Sequence, residues 1–463
     1  MGIVTQGVEP ASALLAAQAP RWLGEWARFA AGTRYADLPA EVAQRARLAL
    51  LDCIGAIAAG AQEAEAQALA ARMIVREGAG EAAVIGHAAG ARPGIAAFLN
   101  GTAGTMLELD EGNQYARGHP AIHVVPALLA APRGDGAALL VALALGYEIG
   151  ARVGIASKLN VAMHPHGTWG TLGAAVGIAK LHGANAEEFA AAINMASTLG
   201  LATSRRTMLE GGTVRNTFAG VSNMLGLTVW DLVRAGFVGE RDGVATIFGQ
   251  VSASEFQPAE MVRELGSRWE IARNYFKRHA ACRYTHGALD ALSAIVARTG
   301  PLRPQDVASI RVETYVWAAQ LDSPAAPNML AAKFSIPFAM ATFLAHGAAT
   351  VPAFRGPARE NPDILALASR VTVEEDPAMT AQLPGLRPAR VTLVLADGTR
   401  HEAAVTTNRG DTEDPYTELE VREKFQELAA PVYGRDRAAA IEDAVLGMGP
   451  HDEATSLVDL LKS

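Results

Sequence analysis

The hydrophobic residues of this chain change period once, and that change limits the fold more than any other feature. From about Pro20 to Arg263 the sequence is rich in alanine and punctuated by glycine and proline, with apolar residues returning at three- and four-residue steps. Val42, Ala46, Leu48, Leu51, Ile54 and Ile57 fall largely along one helical stripe. Small side chains let helix axes approach, so this half predicts helices packed on helices, with almost no strand. Beyond Tyr275 the pattern alternates. Residues 307–316 place Ile310, Val312, Thr314 and Val316 on one face, 370–374 form a third strand candidate, and 390–395 run through Asp397-Gly398 into 401–405, a hairpin signal. The apolar stretch 336–347 reads as a helix between them, and after Asp411 the chain turns polar and helix-prone again. The expectation is a mainly α fold: a large all-helical domain, residues 1–268 plus 408–463, with a smaller α+β domain, residues 269–407, inserted into it.

Composition narrows the function. With 463 residues, 50% of them hydrophobic and 19% charged, the chain fits two or three globular domains and not the disordered class. Lys and Arg number 40 against 48 Asp and Glu, a net charge of −8 with no basic block. No nucleic-acid partner is expected, because a phosphate backbone needs a dense cationic face. Cys53 and Cys282 are too few and too far apart for a disulfide framework or a CxxC pair, and read as reduced, buried thiols of a cytoplasmic protein. Two thiols cannot hold an iron–sulfur cluster, and the histidine spacings match no HExxH, facial-triad or zinc pattern, so no metal is expected. No secretory leader is read at the start, which Glu9, Pro10, Pro20 and Arg21 interrupt. The uncharged stretches 159–179 and 335–353 are broken by His164, Pro165, His166 and Gly167, and by Pro337 and His346, so no membrane span is expected.

Four segments combine titratable groups with glycine and proline inside apolar surroundings, and such departures from local rules mark function. Residues 107–126 carry Glu108, Asp110, Glu111, Arg117 and His119-Pro120; the plain alternative is a helix cap and a solvated loop. Residues 161–173 hold His164 and His166 about Pro165 in an uncharged run. Histidine is the natural acid or base near neutral pH, and Gly167, Gly170 and Gly173 imply close backbone approach rather than a lone structural histidine. In 203–220, Arg205, Arg206 and Arg215 surround Gly211-Gly212 without a P-loop or GxGxxG pattern. Arginine forks pair with carboxylates, against the alternative of a solvated basic loop. In 274–290, Lys277, Arg278, His279, Arg283, Tyr284 and His286 form the densest cationic cluster, where the texture switches. Ligand sites favour such junctions; a charged hinge is the plainer reading.

Together LDCIGAIAAG at 51–60, GHP at 118–120, HPHGTWGTLGAAVGIAK at 164–180 and YFKRHAACRYTHGALDA at 275–291 resemble the MmgE/PrpD family, over roughly residues 20 to 460. That family includes 2-methylcitrate dehydratases, cis-aconitate decarboxylases and iminodisuccinate epimerases. The resemblance implies a helical domain with an inserted α+β domain, a homodimer, and chemistry that uses no metal, iron–sulfur cluster or organic cofactor. His119 resembles the family's THP or GHP histidine, and His164 the histidine of its HPT or HPP stretch. Glu108 and Asp110 fall where it commonly reads LDFD, Lys277 resembles the lysine ahead of its cysteine, and His286 the histidine of its C-x-x-x-H. One segment departs. VRNTFAG at 214–220 stands where many members read TKPLHAG, so Arg215 replaces lysine and Phe218 replaces histidine, which keeps a cation but removes a titratable group.

Reactions of that family remove a proton or a carboxylate beside a carboxylate, so the carbanion needs nearby cations, with an acid and a base near neutral pH. The resemblance implies a catalytic set of His119, His164, Glu108, Asp110 and Lys277, in which the histidines are base and acid and a carboxylate orients one of them. Arg215, Arg283, His286, His166 and Arg117 are the expected substrate-binding residues. The leading expectation is a cofactor-independent hydro-lyase resembling 2-methylcitrate dehydratase, acting on a small di- or tricarboxylate. The alternatives are an epimerase or isomerase of an imino- or amino-dicarboxylate, a cis-aconitate-type decarboxylase and, outside the enzymes, an inactive dimeric carboxylate-binding protein.

Overall fold

The computed structural model describes residues 18–462, so most of the stretch read for a leader lies outside the described residues. The fold is mainly α, with 58% of residues helical and 11% in small sheets. Helices α1 (Arg21–Gly32), α2 (Ala40–Gly60), α3 (Pro93–Thr105), α4 (Gly136–Ala156), α5 (Gly170–Leu181), α6 (Ala186–Thr198) and α7 (Phe218–Arg234) build most of the first part. The second half of α2 is buried nearly all round, wider than the single stripe read from its spacing, because helices pack on several of its sides.

Among the described residues α4 is the helix long and apolar enough to cross a membrane, and it lies outside both uncharged stretches singled out above. Here 89% of its apolar window is buried by protein. Asp135 caps its start by accepting the Ala138 amide at 2.8 Å. Inside it, buried Arg152 donates to Glu148 at 2.6 Å and to the carbonyls of Glu260, Arg263 and Arg268 at 2.9, 2.8 and 3.0 Å.

Where α3 and α7 cross, the contact is glycine on glycine. A Cβ at Gly101 would lie 2.8 Å from the Gly220 Cα, and one at Gly220 would lie 2.3 Å from the Phe98 carbonyl, so neither position has room for a side chain. This crossing brings the residues before α7, which carry Arg215, against the residues after α3, which carry Glu108. Thr105 joins the two segments by donating to the Asn216 carbonyl at 2.7 Å.

The first part is not all-helical. Strand β1 (Gly112–Asn113) pairs antiparallel with β2 (Asn274–Tyr275), and Ser157–Leu159 pairs with Ala253–Phe256. Two- to four-residue strands carry too little alternation to be seen in sequence. The alternating region forms a mixed sheet of β3 (Val307–Thr314), β4 (Val371–Glu375), β5 (Ala389–Leu395) and β6 (Arg400–Val405), in the order β4-β3-β5-β6. β3 and β4 are parallel, and the other pairs antiparallel. Gly398, at φ 87°, closes the expected Asp397-Gly398 hairpin, with the Leu395 amide donating to the Thr399 carbonyl at 2.8 Å. Val316 is not in strand; it starts the short helix Val316–Ala319. Helix α8 (Arg283–Thr299) packs on β5 and β6, and α9 (Ile336–His346) fills the stretch expected to be helical.

Two cores result. One runs from Trp22 to Ile271 and takes in Phe425, Ala429, Ile441, Val445 and Leu457 from the last helices. The other spans Ala280 to Leu393 and takes in Met106, Leu107, Leu109 and Met208 from the first part. Helix α10 (Glu418–Tyr433) lies on α2, and its Lys424 reaches Asp52 at 2.5 Å and the Leu109 carbonyl at 2.6 Å. The acidic segment therefore sits where the cores meet.

Candidate active site

The segment 107–110 alternates Leu and acid, so Leu107 and Leu109 enter the second core while Glu108 and Asp110 face the other way. Glu108 has φ 55°, a left-handed conformation that a non-glycine residue adopts only when its surroundings enforce it. Its side chain is held by charge: Arg215 forms a buried ion pair with Glu108, and Lys277 Nζ lies 3.8 Å from Glu108 and 3.5 Å from Asp110. The following turn is held by Asn113, whose side chain accepts the Tyr115 and Ala116 amides, both at 2.9 Å, while its amide donates to the Gly118 carbonyl at 2.8 Å. That turn delivers His119.

His119 Nδ1 lies 2.7 Å from the Glu111 carbonyl and 3.2 Å from Asp110 Oδ2. A carbonyl only accepts, so Nδ1 carries the proton, and Nε2 is left bare without a protein partner. Burial, reinforced by the positive Lys277, lowers the His119 pKa to about 3, so the imidazole is neutral. Behind it, the Glu111 carboxyl accepts from the Ala121 amide at 2.8 Å and the Tyr147 hydroxyl at 2.9 Å; burial outweighs both bonds and raises its pKa to about 8.

His164 is fixed from its backbone. Its carbonyl accepts from the hydroxyls of Thr168 and Thr203, at 2.6 and 2.5 Å, and its amide donates to the Thr203 carbonyl at 3.0 Å. Its Nδ1 accepts the His166 amide at 3.0 Å, so the proton sits on Nε2. Burial, then the charge of Arg215, holds His164 well below the usual histidine range. The rings of His119 and His164 stand 5.2 and 5.9 Å from the His166 ring between them. One histidine thus offers a bare nitrogen, the other an N–H.

Both line one cavity with Glu108, Arg117, Arg205, Arg215, Arg283 and Arg387, and an apolar wall that includes Met208, Cys282 and Phe334. Five guanidinium groups against one carboxylate favour a polyanion. The Nε atoms of Arg215, Arg283 and Arg387 are buried and lack partners, free donors for a ligand's carboxylates. Arg283 is anchored by Asp411 at 2.5 Å and by His286 Nδ1 at 3.0 Å, and lies over the Tyr275 ring at 4.5 Å. Arg117, at φ 57°, is tied to the carbonyls of Gly154 and Ser157 at 3.0 and 2.7 Å. Burial raises the Cys282 thiol to about 12, so it is no nucleophile near neutral pH. Among the described residues, no group of three or more His, Cys, Asp or Glu is arranged to hold a metal ion.

Of the expected site residues, Glu108, Arg117, His119, His164, Arg215 and Arg283 line the cavity. Asp110, Lys277, His166 and His286 do not; each sits one layer back, against a residue that does. Arg387 was not foreseen. It comes from the turn before β5, where its segment reads as an ordinary loop, and it is held by the Gln114 carbonyl at 2.8 Å and the Tyr284 ring at 5.5 Å.

A mainly helical protein with a buried cavity of arginines and two neutral histidines of opposite tautomer is equipped to move protons on a small polyanion. Two family models match the chain: the MmgE/PrpD N-terminal domain over residues 24–256, and the MmgE/PrpD C-terminal domain over residues 279–448. The chain belongs to the MmgE/PrpD family. It is 28% identical to the cis-aconitate decarboxylase-like protein oryM of Aspergillus oryzae, over 92% of this chain and 94% of that one. It is 25% identical to cis-aconitate decarboxylase of Aspergillus terreus, over 92% of each, and 24% identical to that of Mus musculus, over 80% of this chain and 78% of the mouse protein.

Proposed function

We propose that this chain is a cofactor-independent lyase of a small di- or tricarboxylate, transferring a proton at a carbon beside a carboxylate. The observation that carries this is that His119, with Nε2 bare, and His164, with Nε2 protonated, line one cavity dominated by guanidinium groups. Arg215, Arg283 and Arg387 take the substrate carboxylates, and the charge they supply stabilises the enolate-like carbanion. Loss of CO₂ is favoured by the relatives, which are cis-aconitate decarboxylases or decarboxylase-like. In that reaction the C–CO₂ bond breaks, its electron pair stays on the substrate, and a proton returns to carbon from His119. The substrate's own negative charge raises the His119 pKa in the complex, which loads that proton. Loss of water, as in 2-methylcitrate dehydratases, is favoured by the resting protonation: His119 Nε2 takes the carbon-bound proton, the C–O bond breaks while the neutral His164 Nε2–H hydrogen-bonds the departing hydroxyl, and the proton on His119 completes the water.

A panel of di- and tricarboxylates tests the reading. Evolved CO₂ identifies decarboxylation, a new conjugated alkene absorbance without CO₂ identifies dehydration, and inversion without either identifies epimerisation. Binding of every carboxylate with turnover of none would refute the enzyme reading and leave a binding protein. With the substrate in hand, Arg215→Met should raise KM about 10- to 100-fold and lower kcat less, because a carboxylate contact made in the ground state is lost. An unchanged KM, read by steady-state kinetics, would remove Arg215 from substrate binding.

A further inference from the structure

His123 and His166 lie behind the cavity, and the reaction outlined above gives neither side chain a task. Both are buried, and each carries one ring nitrogen without a partner, Nδ1 of His123 and Nε2 of His166. Their other nitrogens meet: His123 Nε2 lies 3.2 Å from His166 Nδ1 and accepts the Gly167 amide, also at 3.2 Å. A backbone amide only donates, so His123 Nε2 is bare, and His166 Nδ1 is the donor between the two rings. One residue earlier the His166 amide donates to His164 Nδ1, which leaves the His164 proton on Nε2. The direction of that amide therefore decides which His164 nitrogen is protonated, and His123 holds the turn that carries it.

Space for the His123 ring is reserved. A Cβ at Gly170 would lie 2.2 Å from its Nδ1, and the Trp169 ring closes over it edge-on with centres 5.8 Å apart. Gly167 has φ 87°, a conformation open to glycine at little cost, and its amide is the one His123 accepts.

We propose that His123 is a positioning residue: by accepting the Gly167 amide it holds the 164–167 turn, so that the His166 amide keeps His164 as the Nε2–H tautomer. The inference rests on the water-loss reading above, in which His164 Nε2–H is the hydrogen-bond donor to the departing hydroxyl. Histidine-selective ¹⁵N labelling with two-bond ring correlations identifies the protonated nitrogen of each imidazole in the resting protein, and His164→Gln assigns the His164 signals. Wild type should show bare Nδ1 and protonated Nε2 at His164. His123→Gln, whose Oε1 can accept the same amide, should preserve that pattern. His123→Phe fills the volume but accepts nothing, and should give mixed tautomers at His164 with kcat lowered roughly 10- to 100-fold and KM little changed.

If His123→Phe does not fold, the wild-type and His123→Gln spectra decide. Bare Nε2 at His164 in wild type, loss of the pattern in His123→Gln, or the same tautomer ratio in both variants would overturn the proposal. The expected tautomers in a protein that turns over no carboxylate would support it while refuting the proposed function.

Discussion

His119→Asn should lower kcat by about 10²- to 10⁴-fold, the usual share of general acid–base catalysis, while the protein stays folded. Asparagine keeps an N–H where His119 Nδ1 donates to the Glu111 carbonyl, so the buried acceptor is not orphaned, but it has no counterpart of the bare Nε2. Structural collapse and chemical loss are thereby separated, with circular dichroism reporting the first and turnover the second. The pH profiles should also differ. Burial lowers the pKa of His119 to about 3 in the free protein, so kcat/KM should show no His119 limb between about pH 5 and 8. In the complex, substrate carboxylates raise that pKa, and any His119 limb belongs to kcat. Wild-type turnover in His119→Asn would remove His119 from the chemistry.

The second large effect is on acid stability. Burial holds His119, His123, His164, His166 and His286 below the usual histidine pKa of 6.5. Below about pH 6.5 the unfolded chain takes up protons at these positions and the folded chain does not. The stability they confer is present above that pH and lost as pH falls, by up to about 1.4 kcal/mol per pH unit for each histidine. Glu111 and Glu148 act in the opposite sense. Raised to about 8 and about 7 by burial, they hold protons in the folded state that the unfolded chain has released above about 4.5, so their contribution declines as pH rises through that window. Five histidines outweigh two glutamates below 6.5; above it the glutamates are opposed by Lys333, whose pKa burial lowers to about 7. Thermal melts at about pH 5 and 6.5 should therefore show a steep fall in Tm on the acid side. A Tm that held or rose from 6.5 to 5 would mean that these imidazoles are charged in the folded protein.

The parts of the fold that were legible in sequence are those with a period. The strands of the mixed sheet, its Asp397-Gly398 hairpin and helix α9 each carry a pattern several residues long. What escaped was either too short or too local. The β1–β2 ribbon is two residues on each side, yet it is what stitches the acidic segment to the cationic one. Helix α4 lies outside the uncharged stretches because it contains Glu148 and Arg152, and only the fold reveals that these two pair inside the core.

The site was legible for a different reason: charged and titratable residues in apolar surroundings stand out whatever the fold. That signal found Glu108, His119, His164, Arg215 and Arg283, but it could not rank depth. Asp110 and Lys277 look like Glu108 in sequence, and only the packing puts them behind the cavity wall. Arg387 has no signal at all, since it is one arginine in a loop and its role arises from where β5 begins.

If His119 Nε2 moves a proton at a substrate carbon, that proton should exchange with solvent deuterium through His119. Wild type and His119→Asn are incubated in D₂O with the carboxylate that the wild type turns over, and recovered substrate and product are read by NMR and mass spectrometry. With wild type, deuterium should appear at one carbon beside a carboxylate, in product when CO₂ is lost and in recovered substrate when loss of water reverses, and it should disappear together with turnover in His119→Asn. Deuterium entering equally fast with His119→Asn, or undiminished turnover in that variant, would contradict a role for His119 in the proton transfer.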